Sequence, residues 1–243
     1  MTAAVRPLSV ALLECDHVND DLRHVAGDYG DMFTSLFTAS APEVALDRID
    51  VVGGSPLPPL GAHDGVVITG SRQSVGDDEA WIRDLEAFVR AAADRGVPVA
   101  GICFGHQLIA QALGGRVERA AAGWGVGVHD ATVLAPSPWM QPPAARFRLL
   151  LSHQDQVATL PDGATVLASS PHAPIAAFQI GSLVGFQGHP EFVPAYAAEL
   201  LTLRGDRIGP DRVAHARATL DTPTDHVMVA RWIARFLAGT APE

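Results

Sequence analysis

The chain has 243 residues, 48% of them hydrophobic and 18% charged, with a formal net charge of −10 at pH 7. This length and composition favour one large domain, spanning residues 1–243, over two small ones. The negative charge argues against binding to nucleic acid or to anionic lipid, since both require clustered basic side chains. We therefore expect a small molecule or another protein as the partner.

The N-terminal segment Met1–Glu14 has too short an apolar stretch for a secretory signal, and no later segment approaches the ~20 apolar residues of a membrane span. We therefore expect a soluble, cytoplasmic protein. Two cysteines, Cys15 and Cys103, are too few for a disulfide framework. Each thiol is then either a small buried group or a reactive one.

In the first part of the chain, apolar runs predict three strands: Leu8–Leu13, Val44–Val52 and Gly65–Thr69. The third run is β-branched and continuous, as in strands that are buried on both faces. Between the first two strands we predict a long polar loop, His17–Ser40, with a short helix around Met32–Phe37.

A helix is predicted after the third strand, with Asp77 or Asp78 as its N-cap and Gly96 at its end. A fourth buried strand, Val97–Gly101, and a second helix, Phe104–Leu113, follow. Strands that alternate with helices in this way indicate a parallel sheet covered on both faces.

The second half of the chain changes character. β-prone runs separated by Pro- and Gly-rich turns predict hairpins at one edge of the sheet, at Gly125–Leu134, Phe147–Ser152, Ala164–Ser169 and Ala176–Phe186. Helices are predicted again at Pro194–Leu203, Pro210–Leu220 and Asp225–Leu237. The predicted fold is an α/β three-layer sandwich with a mostly parallel central sheet and a small antiparallel edge region.

Cys103 lies between Gly101 and Gly105 at a predicted strand-to-helix junction, the arrangement of a nucleophile elbow. A sharp turn there requires small residues two positions before and after the nucleophile, where the chain folds back on itself. The start of the next helix favours a negative charge on the sulfur, which gives the thiol thiolate character. A small buried residue in a close-packed corner fits the same pattern, so the interpretation depends on a partner base.

His189 and Glu191 supply such a base and its support. Pro190 between them favours an extended backbone at His189, and side chains two residues apart in an extended segment project the same way. The carboxylate can then hold the imidazole in one tautomer and orientation. An isolated His-Pro-Glu is more often an ordinary surface turn, but downstream of a cysteine elbow it favours a triad of Cys103, His189 and Glu191.

Together the two motifs resemble those of the class I glutamine amidotransferases. Gly-Ile-Cys-Phe-Gly-His-Gln occupies residues 101–107 and Gly-His-Pro-Glu residues 188–191, in the family's order, and the likeness covers most of the chain. It is strongest to the amidotransferase half of GMP synthetase and to free-standing relatives that include γ-glutamyl peptidases.

This resemblance implies a flavodoxin-like fold and a hydrolase that uses no cofactor. In such an enzyme Cys103 attacks the γ-amide carbon of glutamine or of a γ-glutamyl compound, and water hydrolyses the resulting γ-glutamyl thioester. His189 acts as acid and base, and Glu191 orients it. Ammonia or a larger amine leaves.

The resemblance also implies an oxyanion hole formed by the backbone of Phe104 and of the Gly70-Ser71 loop. That loop reads Gly-Ser-Arg where the family more commonly has Gly-Gly-Pro, so the donor on it stays open. Gly70 is equally compatible with a plain turn glycine.

Three further residues match family positions that contact the substrate. Gln107 matches a glutamine that helps to hold it, and Ser152 and His153 belong to a stretch that meets its α-amino and α-carboxylate groups. An exposed helix residue is the alternative for Gln107, and a hydrogen-bonded histidine at a strand end is the alternative for His153.

Two enzymatic functions remain open. The chain has no synthetase half and no phosphate-binding loop, so as an amidotransferase it would deliver ammonia to a separate synthetase or acceptor subunit. As a self-contained γ-glutamyl peptidase it would act on glutathione-like or γ-glutamylated small molecules through the same thioester. Pocket width separates the two, and we expect the loops His17–Tyr29 and Trp124–His129 to set that width.

A non-enzymatic scaffold is a third reading, which the intact triad disfavours. Ten histidines raise the question of a metal site, but none shows metal-ligand spacing, so we predict no metal. Cys15 is expected to be buried.

Overall fold

The computed structural model describes residues 6–239. The first five residues of the N-terminal segment considered above, and residues 240–243, lie outside the described part. The strands are β1 Leu8–Glu14, β2 Val44–Asp50, β3 Gly65–Ile68, β4 Val99–Ile102, β5 Arg116–Arg119, β6 Gly125–Val133, β7 Arg146–His153, β8 Asp155–Thr159, β9 Thr165–Ser169, β10 Ala177–Ile180 and β11 Leu183–Phe186. The helices are α1 Arg23–Ala26, α2 Tyr29–Ser40, α3 Ala80–Arg95, α4 Phe104–Ala112, α5 Pro194–Leu203, α6 Gly205–Ile208, α7 Pro210–Thr219 and α8 His226–Leu237.

A nine-stranded sheet runs through the molecule in the order β2-β1-β3-β4-β11-β10-β9-β6-β7. The strands from β2 to β11 pair in parallel, and those from β11 to β7 pair antiparallel. Strands β5 and β8 form a separate antiparallel pair. The predicted α/β fold, with a mostly parallel central sheet and an antiparallel region, is confirmed. Within residues 6–239 no helix has the length and apolar character needed to cross a bilayer.

Helices cover the parallel part of the sheet on both faces. Along β1, Val10 and Leu12 pack into one core and Ala11 and Leu13 into the other, because successive side chains of a strand point to opposite faces. The first core contains residues of α2 and α8, and the second contains residues of α3 and α4. Because both faces of β1 are covered, the four consecutive residues Val10–Leu13 are all apolar.

Helix α2 is longer than the helix predicted around Met32–Phe37. Asp28 caps it in a capping box, in which Asp31 accepts from the Asp28 backbone N–H at 2.8 Å. The box starts the helix at Tyr29, a full turn before the apolar run that carried the prediction.

The predicted N-cap of α3 was wrong. The helix begins at Ala80 after Glu79, and no side chain caps it. Asp77 instead accepts from the backbone N–H of Ser74 at 2.9 Å, which closes the preceding loop. Gly96 ends the helix in the left-handed conformation, as predicted, with φ of 67°.

The run Ala176–Phe186 is a hairpin of two strands, β10 and β11, which turns at Gly181 with φ of 53°. The first strand belongs to the antiparallel region, as predicted, but β11 lies beside β4 in the centre of the sheet. The short elements β5, β8, α1 and α6 were not predicted, because they are largely unburied and lack the continuous apolar runs that marked short strands such as β3 and β4.

Two glycines allow the chain to turn between β4 and α4. A Cβ on Gly101 would lie 2.3 Å from the carbonyl of Gly105, and a Cβ on Gly105 would lie 2.5 Å from the carbonyl oxygen of Ile68. Both obstacles are backbone atoms, which cannot move aside as a side chain would. As inferred from the sequence, both positions therefore require a residue without a side chain.

We expect Gly105→Ala to lower the free energy of unfolding by about 1–3 kcal/mol, the usual cost of overpacking a filled site. Gly205→Ala is the matched control, because a Cβ there meets nothing within 4 Å. Urea unfolding of both variants measures the effect. Equal stability of the two variants would contradict the steric account.

Candidate active site

Cys103 is held in a strained backbone conformation between β4 and α4. Its φ is 53° and its ψ is −97°, and it is the only non-glycine residue with positive φ among residues 6–239. Its N–H donates to the carbonyl of Phe186 at 2.8 Å, which ties the turn to β11. The side chain is 5% exposed and lines a cavity, so the thiol lies at the N-terminus of α4 with access to that cavity.

The pairing of β4 with β11 brings the two sequence motifs together. Ile102 lies opposite Phe186 in this parallel register, so both strands end at the same edge of the sheet. His189 follows three residues later, and its N–H donates to Leu150 at 2.9 Å. A Cβ built on Gly70 would lie 3.0 Å from Cε1 of His189 and 3.7 Å from Cβ of Cys103, so all three residues meet at one point.

The imidazole of His189 is fixed on two sides. Its Nδ1 lies 2.7 Å from Oε1 of Glu191, and its ring stacks on Phe192 with 3.8 Å between centroids and 7° between planes. The contact with Glu191 leaves Nε2 as the ring nitrogen for the thiol of Cys103. The stacking and the carboxylate together allow one ring orientation.

Burial alone would lower the pKa of His189. The negative charges of Glu191 and Cys103 and their hydrogen bonds to the ring outweigh burial and raise the pKa to about 10. The ring is 5% exposed and Glu191 is 3% exposed, so water screens these charges little. The direction of this pKa shift favours the protonated form of the His189 ring.

Gln187 is a site residue that the sequence reasoning did not single out. Its Nε2 donates to Sγ of Cys103 at 3.6 Å, and its Oε1 accepts from Nε2 of Gln107 at 3.2 Å. The same Gln107 amide donates to the carbonyl of Asp155 at 2.7 Å. Gln187 lies two residues before His189 in the segment that follows β11, and this spacing, which directs both side chains the same way in an extended chain, was the available signal.

The loop after β3 is anchored by Asp16, another residue not predicted. The backbone N–H of Arg72 donates to the Asp16 carboxylate at 2.8 Å, and the Arg72 Nε contacts both carboxylate oxygens at 2.9 Å. A proline at this position, as in the commoner Gly-Gly-Pro form, has no N–H to donate. The main-chain bond that fixes the Gly70-Ser71 segment is therefore one that a proline at position 72 could not make.

Phe104 occupies the first position of α4, so its backbone N–H has no acceptor within the helix. Its ring is buried against Trp81 with 5.5 Å between centroids. The main chain of Phe104 therefore lies beside Cys103, and its side chain is buried in the core.

A cavity of about 210 Å³ opens at the thiol. Five of the predicted residues line it: Ser71, Cys103, Gln107, Ser152 and His153. The remaining four, Gly70, Phe104, His189 and Glu191, do not line it. Other lining residues that the sequence did not indicate include Arg72, Asp77, Arg119, Arg204 and Arg207.

The Ser152–Asp155 stretch forms part of the cavity wall. Ser152 accepts from Nη1 of Arg204 at 2.9 Å, and Nδ1 of His153 contacts the carbonyl of Asp155 at 2.9 Å. Burial, with smaller contributions from neighbouring histidines, lowers the pKa of His153 to about 3. This ring is therefore neutral at physiological pH.

Only one of the two loops expected to set the pocket width does so. Trp124 lines the cavity, but no residue of His17–Tyr29, all of them described, reaches it. His17 contacts Asp28 at 2.9 Å and Asp50 at 3.1 Å, which holds the loop against the end of β2.

Cys15 is fully buried, and burial raises the pKa of its thiol well above its ordinary value. In the described part of the chain no cluster of three or more potential metal ligands is present.

The chain is similar in sequence and in fold to known proteins. The family model described as "Glutamine amidotransferase class-I" matches residues 43–203. Gamma-glutamyl peptidase 3 of Arabidopsis thaliana is 29% identical over 94% of this chain and 95% of its own length. The glutamine-hydrolyzing GMP synthase of Thermus thermophilus is 30% identical over 83% of this chain, which spans only 38% of that protein.

A glutamine amidotransferase of Thermotoga maritima has a similar fold, with a TM-score of 0.72 over 95% of this chain and 96% of its own, at 21% identity. The match of the family model covers both the Cys103 elbow and the His189–Glu191 segment. The chain belongs to the class I glutamine amidotransferase family.

Proposed function

We propose that this chain is a cysteine-dependent γ-glutamyl hydrolase acting on γ-glutamylated small molecules. The observation that carries the proposal is the convergence of a strained, cavity-lining Cys103 with a His189 that is oriented by Glu191. The likeness to Arabidopsis thaliana gamma-glutamyl peptidases over nearly the whole chain supports a self-contained enzyme, with residues 1–243 acting as one domain.

In the proposed first step the thiolate of Cys103 attacks the γ-carbonyl carbon of the substrate. The carbonyl π electrons move to oxygen, and backbone N–H groups of Phe104 and of the Gly70-Ser71 segment are positioned to stabilise that oxyanion. The imidazolium of His189 then gives its proton to the leaving nitrogen. The carbon–nitrogen bond breaks, the amine departs, and a γ-glutamyl thioester remains on Cys103.

In the second step His189, now neutral, removes a proton from water as the water oxygen attacks the thioester carbon. The carbon–sulfur bond breaks, glutamate leaves, and the thiolate–imidazolium pair is restored. Glu191 holds the ring in place during both transfers. Gln187, which donates to the sulfur, stabilises the thiolate before the first step and after the second.

Replacement of Cys103 tests the proposed nucleophile. We expect Cys103→Ala and Cys103→Ser to reduce kcat for a γ-glutamyl substrate by at least about a thousandfold, since no other group in the cavity replaces the thiolate. The measurement is amine and glutamate release at saturating substrate, together with circular dichroism to show that the variants fold.

Cys15→Ala is the matched control, because it removes the other thiol, which is buried outside the cavity. It should keep its turnover, and alkylation by iodoacetamide should label it at Cys103 alone. Turnover retained by Cys103→Ala would eliminate the mechanism.

Glu191→Gln tests the origin of the raised His189 pKa. Without the carboxylate charge, burial favours the neutral ring, so the pKa of His189 should fall from its raised value of about 10. Since the imidazolium must protonate the leaving amine, the alkaline limb of kcat/KM should move to lower pH, and kcat should fall ~10²–10⁴-fold. A pH profile between 5 and 11 measures both changes, and an unshifted alkaline limb would contradict this role of Glu191.

A second candidate is an amidotransferase subunit that supplies ammonia to a separate synthetase. The likeness to the GMP synthase of Thermus thermophilus favours this candidate. This chain matches 38% of that protein, whose matching part is joined to further sequence. Ammonia release from glutamine, compared with amine release from γ-glutamyl dipeptides, separates the two functions. We expect a higher kcat/KM for the dipeptides, and turnover of glutamine alone would favour the subunit.

The proposed site of action is the cytoplasm. Cys103 must stay reduced to act, and both cysteines are free thiols. The proposal involves no nucleic acid, membrane or cofactor.

A further inference from the structure

Two arginines on one wall of the cavity share an aromatic platform. The guanidinium carbons of Arg204 and Arg207 lie 5.9 Å and 5.6 Å from the ring centroid of Trp124, within the range of cation–π contacts. Arg204 also donates to Oγ of Ser152. Both side chains line the same cavity as Cys103.

The platform is held rigidly. Trp124 is buried in a cluster with Leu201 of α5 and Ile208 at the end of α6; Arg204 lies between these two helices and Arg207 lies within α6. The carbonyl of Trp124 accepts from Nη1 of Arg212 at 2.6 Å. The guanidinium groups therefore lie on a fixed surface and lose little freedom when they bind a ligand.

These two arginines differ from the other cations of the cavity. Arg72 is paired with Asp16 at 2.9 Å, and Arg119 lies 3.7 Å from Asp155. Within residues 6–239 neither Arg204 nor Arg207 forms an ion pair with a carboxylate. In a chain with a net charge of −10, two guanidiniums without acidic partners leave a local excess of positive charge at the cavity.

One lining carboxylate is likewise without a cationic partner. Among the described residues, the carboxylate of Asp77 accepts only from the Ser74 backbone N–H, while Arg83 donates to the Asp77 main-chain carbonyl. The free charges of the cavity are thus two guanidiniums and one carboxylate. A γ-glutamyl amino acid carries two carboxylates and one ammonium at neutral pH, whereas glutamine carries one of each.

We propose that Arg204 and Arg207 form a carboxylate-binding subsite that selects γ-glutamyl amides whose leaving amine is itself an amino acid or a peptide. The inference rests on the proposed function and specifies its substrate. One guanidinium meets the α-carboxylate of the γ-glutamyl group beside Ser152, and the other meets the carboxylate of the departing amine. Glutamine would leave one guanidinium without a partner, which disfavours it as the substrate.

Arg207 is the specificity-determining residue of the pair, because Arg204 is already engaged with Ser152. We expect Arg207→Gln to raise KM for γ-glutamyl-glycine by about tenfold or more, the effect of losing one charge-assisted hydrogen bond. KM for γ-glutamyl-methylamide, which has the same amide bond but no second carboxylate, should rise much less. Arg207→Lys should recover part of the loss, since it restores the charge without the planar fork.

Arg217→Gln is the matched control on the neighbouring helix. Arg217 donates to the Ala198 carbonyl and to Thr202, and it does not line the cavity. It should leave KM for all substrates unchanged. An unchanged KM for γ-glutamyl-glycine in Arg207→Gln would overturn the proposal. An equal rise of KM for γ-glutamyl-glycine and γ-glutamyl-methylamide would also overturn it, because Arg207 would then bind the α-carboxylate that both substrates share.

Binding without turnover separates this subsite from the chemistry. In a Cys103→Ala background, calorimetry with γ-glutamyl-glycine should show about tenfold weaker affinity when Arg207→Gln is added. Weaker binding together with no hydrolysis by the unmodified enzyme would refute the proposed function and retain the subsite. Unchanged binding together with normal hydrolysis would refute the subsite alone.

Discussion

The turn at Cys103 is the constraint on which the rest of the site depends. A non-glycine residue in the left-handed region is held there because β4 and α4 are packed too closely for the chain to relax. Gly101 and Gly105 make that closeness possible, and the bond from the Cys103 N–H to Phe186 locks it. The strain directs the thiol into the cavity at the start of a helix, where a negative charge on sulfur is stabilised.

The sheet order then determines which residues meet the thiol. Because β4 and β11 are parallel neighbours, their carboxyl ends lie side by side, and the chain that leaves β11 carries Gln187 and His189 past the sulfur. Parallel sheets commonly place their sites at such an edge. The antiparallel strands contribute differently, since β7 receives the His189 N–H at Leu150 and ends at the Ser152–His153 wall of the cavity.

Charge is distributed unevenly around this site. Glu191 lies against the buried ring of His189 and compensates positive charge on it. At the cavity wall, Arg204 and Arg207 lie over Trp124 without such compensation. In the proposed function, Cys103, His189 and Glu191 carry out a reaction common to all γ-glutamyl amides, and the two arginines discriminate among them. On that proposal, reaction and selectivity rest on different residues, supplied by different parts of the fold.

The sequence by itself determined the features that depend on residues close together in the chain. The Gly-x-Cys-x-Gly spacing predicted the sharp turn at Cys103, and the His-Pro-Glu triplet predicted the contact of His189 with Glu191, because each depends on residues within two positions of one another. Strands such as β1 and β3 followed from continuous apolar runs. The N-cap of α3 and the start of α2 did not, since the competition between Asp28, Asp77 and their neighbours for backbone N–H groups is decided by loop geometry.

Only the tertiary structure decided which distant residues share the cavity. Asp16 reaches Arg72 across 56 positions and Arg204 reaches Ser152 across 52, and nothing in local periodicity signals such contacts. The central place of β11, the Gln107–Gln187 bridge and the Trp124 platform have the same origin. They arise from strand order and helix packing, which depend on the free energy of the whole chain, whereas the elbow depends on the local geometry of a few residues.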